Sequence, residues 1–192
     1  MKKTETLPEG YREIYSVDLQ KNKKMALTVN LLGLGIGVLL AVPMCFVVPV
    51  SALFSMESGI LNYFLRFAAL IVLNILYLIL HEFVHGIAMK ICGTKKVKYG
   101  FTGLYAFAGS DDYYDKKSYA FIALAPVVFW GLIIAVVNCF VPVEWFWVVY
   151  ILQISNLAGA AGDLFVTFKF SGFPKDILVT DCGVSMKVFS KM

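Results

Sequence analysis

Apolar residues fall in four long runs separated by short polar stretches: about Met25 to Phe54, Leu61 to Met89, Ala120 to Val141, and Val143 to Phe168. A helix needs about 20 mostly apolar residues to cross a bilayer, and each run reaches that length. Between the second and third runs the period changes. From Val97 to Phe107 the odd positions hold Val97, Tyr99, Phe101, Gly103, Tyr105 and Phe107, while the even positions are smaller or polar. That period of two predicts β-structure, with a hairpin turning near Thr102-Gly103. Asp111, Asp112, Asp115, Lys116 and Lys117 then predict a solvated loop, and weaker strand signals recur at Ile177–Thr180 and Val184–Phe189. The pattern predicts an all-α membrane protein, a four-transmembrane-helix bundle with a short β-hairpin-like insertion between helices two and three. Residues 1–24 would form an N-terminal segment, 25–168 the transmembrane domain and 169–192 a tail.

Composition agrees with the pattern. Hydrophobic residues make up 59% of the 192, and charged residues 16%, too few for a soluble domain. The first 24 residues are polar, and the apolar run after them is too long for the core of a signal peptide. No basic helix or arginine cluster is present, so no nucleic-acid partner is expected. Cys45, Cys92, Cys139 and Cys182 form no CxxC pair and are read as free thiols with packing roles. Gly33, Gly35 and Gly37 lack the strand–turn–helix context of a nucleotide site and predict close helix packing, with a kink or break near Pro43 and Pro49.

Charge sets the orientation. Lys2, Lys3, Arg12, Lys21, Lys23 and Lys24 precede the first run. Lys90, Lys95, Lys96, Lys98, Lys116 and Lys117 lie between the second and third, and Lys169, Lys175, Lys187 and Lys191 follow the fourth. The two remaining connections carry no basic residue, and the one exception, Arg66, lies just inside the second run. By the positive-inside rule this predicts a multi-pass protein of the cell membrane with both termini cytoplasmic.

The chemistry gathers in His81-Glu82-Phe83-Val84-His85. On a helix, residues four apart share a face, so both imidazoles can reach one metal ion, and Glu82 beside the first can take a proton from water. The alternative is a pair of hydrogen-bonded core histidines with Glu82 neutralised. Against it, these are the only two histidines of the chain, they sit with a carboxylate in an apolar run where ionisable groups are expensive, and nothing structural requires their spacing. Zinc needs a third protein ligand. Glu57 and Glu144 lie on the wrong side of the membrane, and Asp163 is the one acidic residue inside the fourth run. His85 lies about 8 Å before Lys90 and Asp163 about 9 Å before Lys169 along a helix, so their depths match. Asp163 is therefore the expected ligand, with Asp111, Asp112 and Asp115 as alternatives. Asn156 precedes Asp163 by seven residues and would share its face, and the small residues between them, Gly159 and Gly162 among others, would let helix four approach helix two.

This constellation resembles the site-2 protease class of intramembrane zinc metalloproteases, and within it a small family of membrane zincin peptidases. The match covers roughly residues 60–170. HEFVH at 81–85 lies in a membrane helix, Ala125-Pro126 is similar to the small-residue–proline motif of the class, and Asn156…Asp163 is similar to its asparagine-to-aspartate segment. The class also carries a β-segment after its HExxH helix. The class pattern has a proline and an Asp-Gly pair around the aspartate, whereas here Gly162 precedes Asp163 and Leu164 follows it. The resemblance implies that the aspartate is a zinc ligand and that Asn156 contacts substrate.

The expectation is a zinc metallopeptidase with Zn2+ on His81, His85 and Asp163 and with Glu82 as general base, hydrolysing peptide bonds of membrane-spanning or membrane-apposed polypeptides near the cytoplasmic face. A catalytically silent zinc-binding scaffold is the alternative. A transporter would need polar residues along a full path, and runs one and three hold almost none.

Overall fold

A computed structural model describes residues 3–18, 20–103, 106–183 and 185–191; Leu104 and Tyr105 of the alternating stretch, Val184 of the tail signal and Lys2 of the basic set lie outside them. Four helices are long and apolar enough to cross a membrane. They are α1 (Lys23–Cys45), α2 (Ile60–Ile91), α3 (Lys116–Phe140), and a fourth span made of α4 (Val143–Gly159) and α5 (Ala161–Ser171). Asn22 caps α1 by accepting the Met25 N–H at 3.0 Å, and Gly93, with φ of 100°, ends α2 in the left-handed region. The fourth span is interrupted at Ala160. Two glycines within four residues, Gly159 and Gly162, weaken the helix there by about 1 kcal/mol each relative to alanine.

The chain divides into two compact units. One comprises residues 30–80 and 127–161. In it, most of α1 packs on α4 where side chains are smallest. A Cβ at Gly33 would lie 2.7 Å from Ala158 O, and one at Gly37 would lie 3.8 Å from Ala158 Cβ. The small residues ahead of Asp163 thus receive α1. α4 also meets the first part of α2, through Tyr77 Oη donating to Asn156 Oδ1 at 2.8 Å and Ser155 Oγ donating to Asn74 Oδ1 at 2.7 Å. A short 3-10 turn (Val50–Phe54) follows α1 after Pro49, and Trp147 donates to the carbonyls of Val48 and Pro49. Arg66 is fully buried, donates to Ser55 O and pairs with Glu144 at 3.7 Å.

The other unit comprises residues 1–29, 81–126 and 162–192. It holds β1 (Lys3–Thr4), β2 (Tyr11–Asp18), β3 (Lys98–Phe101), β4 (Ala106–Gly109), β5 (Tyr113–Asp115), β6 (Leu178–Asp181) and β7 (Ser185–Lys191). β3 and β4 pair antiparallel, with Tyr99 opposite Ala108, and Gly103 (φ of 89°) lies in the turn, so the hairpin stands where the alternation predicts it. The remaining strands form an antiparallel sheet in the order β1-β5-β6-β7-β2. This sheet extends the two tail signals: β2 comes from the N-terminal segment, and β5 from the stretch read as a solvated loop. Val179, Val188 and Met186 face Ala88, Met89, Ile122, Ala123, Val166 and Phe170 of the helices in one buried cluster. That cluster fixes the ends of α2, α3 and α5 against each other.

Candidate metal centre

His81, Glu82, His85 and Asp163 all lie in the sheet-bearing unit. His81 and His85 occupy consecutive turns of α2, both 8% exposed, with ring centroids 4.9 Å apart. Asp163 lies in the first turn of α5, just past the Ala160 interruption. Its two oxygens divide between the two rings: Oδ2 is 3.6 Å from His81 Nε2, and Oδ1 is 3.6 Å from His85 Nε2. These separations exceed hydrogen-bond length. Each is close to the roughly 3.3–3.5 Å that separates neighbouring ligand atoms around zinc, and the carboxylate stands beside both rings. Two imidazoles and one carboxylate are also the donor set of a catalytic zinc site with an open fourth position. The residues present therefore fit the metal.

Glu82 stands on the same helical turn. Its carboxylate lies within 4.8 Å of a nitrogen of each histidine and accepts the N–H of Ala108 in β4. The ligand atoms that gather within 4.8 Å of one another are those of His81, Glu82 and His85, and Asp163 stands beside both imidazoles as a second carboxylate. The outer partners of the site are as specific. His85 Nδ1 bonds Ile122 O at 2.9 Å. Asp181, at the end of β6, accepts the Tyr119 hydroxyl at 2.6 Å and the Gly183 N–H at 2.7 Å. Burial pushes the Asp181 carboxyl pKa up against the pull of those two hydrogen bonds and of the nearby His85.

The hairpin closes over Glu82 through close backbone approaches. A Cβ at Gly86, one residue after His85, would fall 1.8 Å from the Tyr99 hydroxyl. Burial, and then the Glu82 charge, hold the Tyr99 phenol above its ordinary pKa, so it stays protonated. Phe107 lies between Gly100 and Gly183, and a Cβ at Gly109 would fall 2.5 Å from the Cys182 carbonyl carbon.

The acidic alternatives are engaged elsewhere. Asp111 pairs with Lys98 at 2.6 Å, Asp112 pairs with Lys3 at 3.1 Å, and Asp115 accepts the Ser118 N–H at 2.7 Å at the start of α3. Asn156 lies in the other unit and is fully buried; its Oδ1 accepts from Tyr77, and its Nδ2 donates to Val127 O at 3.0 Å. The seven-residue spacing that put Asn156 on the face of Asp163 assumes one unbroken helix, and the interruption at Ala160 removes that premise. Tyr99, Ala108, Tyr119, Ile122 and Asp181 are absent from the site as read from sequence. Of these, only Tyr99 carried a signal, as an aromatic in the alternating stretch.

A family model described as "Putative zincin peptidase" matches residues 74–178, which include both histidines, Glu82, the hairpin and Asp163. An uncharacterised 24.7 kDa protein of Pyrococcus woesei is 34% identical over 179 residues, covering 91% of this chain and 73% of the relative. No solved structure matches. With the family match spanning more than half of the chain and including both histidines and Glu82, this chain belongs to the zincin peptidase family so described.

Proposed function

We propose that the protein is an intramembrane zinc metallopeptidase in which His81, His85 and Asp163 hold Zn2+ and Glu82 is the general base. The observation that carries this reading is the division of one carboxylate between two imidazole Nε2 atoms, each at 3.6 Å, with Glu82 on the same turn. Bound zinc supplies Lewis acidity, polarising a carbonyl and making water acidic enough to lose a proton near neutral pH. Glu82 receives that proton and delivers it to the leaving amine. The Ala108 N–H holds the carboxylate in place meanwhile.

The substrate is a membrane-spanning or membrane-apposed polypeptide cut near the cytoplasmic face. α2 has 32 residues, and at about 1.5 Å each the first 21 of them, 60–80, span the roughly 30 Å of a hydrocarbon core before His81 begins. β3 has no second strand partner among the described residues, so its open edge can hold an unwound substrate segment by strand addition.

The test measures zinc and cleavage together. Purified protein should hold about one zinc per chain, and His81→Ala, His85→Ala and Asp163→Ala should each lose most of it. Glu82→Gln should keep the zinc, while new N-termini in the cell's membrane proteins disappear with it, a loss of about 10²–10⁴-fold in rate. Zinc retained in Asp163→Ala would sink the ligand assignment. Unchanged cleavage in zinc-replete Glu82→Gln would sink the mechanism, and absence of any Glu82-dependent cleavage would leave a zinc-binding scaffold.

A further inference from the structure

α3 runs from Lys116 to Phe140 straight through Pro126, which is under 2% exposed. Proline has no N–H. In an α-helix the N–H of residue 126 would bond the carbonyl of residue 122. Ile122 O is thus left without its helical donor, and it is the atom that stands 2.9 Å from His85 Nδ1. A carbonyl only accepts, so the contact requires the proton on Nδ1, and a neutral imidazole then carries its lone pair on Nε2. Nε2 is the nitrogen that faces Asp163 Oδ1 at 3.6 Å.

We propose that Pro126 is a positioning residue of the metal centre: by withholding a helical N–H it reserves the Ile122 carbonyl for His85, which fixes the tautomer and the ring angle that present Nε2 to the metal. The inference rests on the reading of His85 as a zinc ligand. It goes beyond that reading in giving a backbone carbonyl, and the proline that frees it, the part that a carboxylate plays behind many ligand histidines. Alanine at 126 would return a competing donor to Ile122 O. The oxygen has two lone pairs, so the competition weakens the His85 bond without abolishing it. Loss of such a partner lowers metal affinity by about 10–100-fold, and the lower end of that range is expected here.

A purely structural proline would move stability and metal affinity together, whereas the positioning role moves them apart. Alanine restores a helical bond, so the metal-free Pro126→Ala protein should unfold at the same temperature or higher while its zinc affinity falls about 10-fold. Zinc affinity is read on the full chain in detergent micelles by competition with a chelating dye. Pro43→Ala removes the other proline inside a long apolar helix, in α1, and should leave zinc affinity unchanged. The chain's only two histidines make the tautomer visible directly in ¹⁵N-histidine spectra, with His81→Ala assigning the signals. Zinc-loaded wild-type protein should show His85 with its proton on Nδ1 in a strong hydrogen bond, and Pro126→Ala should shift that signal toward a weaker one. A wild-type His85 protonated on Nε2 would overturn the inference even if the variant did not fold. Tight zinc with the same affinity and His85 signal in Pro126→Ala would overturn it alone. A wild-type protein that binds no zinc would overturn the ligand reading beneath it as well.

Discussion

Asp181 keeps a buried carboxyl in balance with two donors, the Tyr119 hydroxyl at 2.6 Å and the Gly183 N–H at 2.7 Å. Burial raises its pKa above the value of a free aspartate, the hydrogen bonds and the neighbouring His85 oppose that rise, and burial prevails. A carboxyl whose folded pKa lies above its unfolded one binds more protons when folded. Its contribution is therefore fully favourable in acid and is lost as pH rises through the folded pKa. Tyr119→Phe removes one donor, lifts the folded pKa further and leaves the charged form less satisfied, at a cost of about 1–3 kcal/mol near neutral pH. Unfolding of the metal-free protein should show that deficit growing as pH rises through the Asp181 range and shrinking in acid. The Tyr119→Phe, Asp181→Asn double variant should show no such pH dependence, and a deficit that is flat with pH would sink the assignment.

At the scale of the element, the β3–β4 hairpin is held at the site by backbone contacts that leave no room for side chains. Gly109 approaches the Cys182–Gly183 backbone so closely that a Cβ would lie 2.5 Å from a carbonyl carbon, and backbone, unlike a side-chain tip, has nowhere to swing. Gly109→Ala should cost about 1–3 kcal/mol by overpacking and move the Ala108 N–H off Glu82. Gly35→Ala, where nothing lies within 4 Å of the added atom, is the matched control and should be neutral or mildly stabilising. Equal unfolding temperatures for the two variants would contradict this account. The hairpin itself was legible because Val97–Phe107 alternates strictly and turns at a glycine. β2 was not: its register slips between Glu13 and Tyr15, and that bulge interrupts the period of two within an edge strand carrying Arg12, Glu13 and Asp18. β5 is three residues long among three aspartates, Asp111, Asp112 and Asp115, so its buried Tyr114 had no pattern around it. In the site, the HExxH spacing is a property of one helix and is written in the sequence. The approach of Asp163 is not local, and was reached by depth counting along what the structure divides into α4 and α5. Ile122 O, the Ala108 N–H and Asp181 act through backbone or tertiary contact, which no residue pattern encodes.

For the whole molecule, four crossings by the apolar helices would put Lys3 and Lys191 on one side of the membrane, and the positive-inside rule predicts which side. The lateral surfaces of the spans are apolar and open, with Leu39 72% and Phe140 84% exposed, as lipid contact requires. Every basic residue but Arg66 lies at or before Lys24, from Lys90 to Lys117, or from Lys169 onward, and Arg66 is no counterweight because it is buried against Glu144. Positive charge near span ends holds a segment on the cytoplasmic side, so the predicted arrangement puts the α2–α3 connection and both termini in the cytoplasm. In the proposed arrangement His81 and His85 would lie toward that face, since His81 follows 21 residues of α2, enough to cross. Single-cysteine proteins test this, made by changing the four native cysteines to serine and adding Glu57→Cys or Lys117→Cys, both at exposed positions. A membrane-impermeant maleimide applied to intact cells should label position 57 at once and position 117 only after the membrane is opened. Labelling of position 117 in intact cells would place the hairpin and its metal centre on the outer face, and a substrate cut at the cytoplasmic boundary would then be out of reach of Glu82.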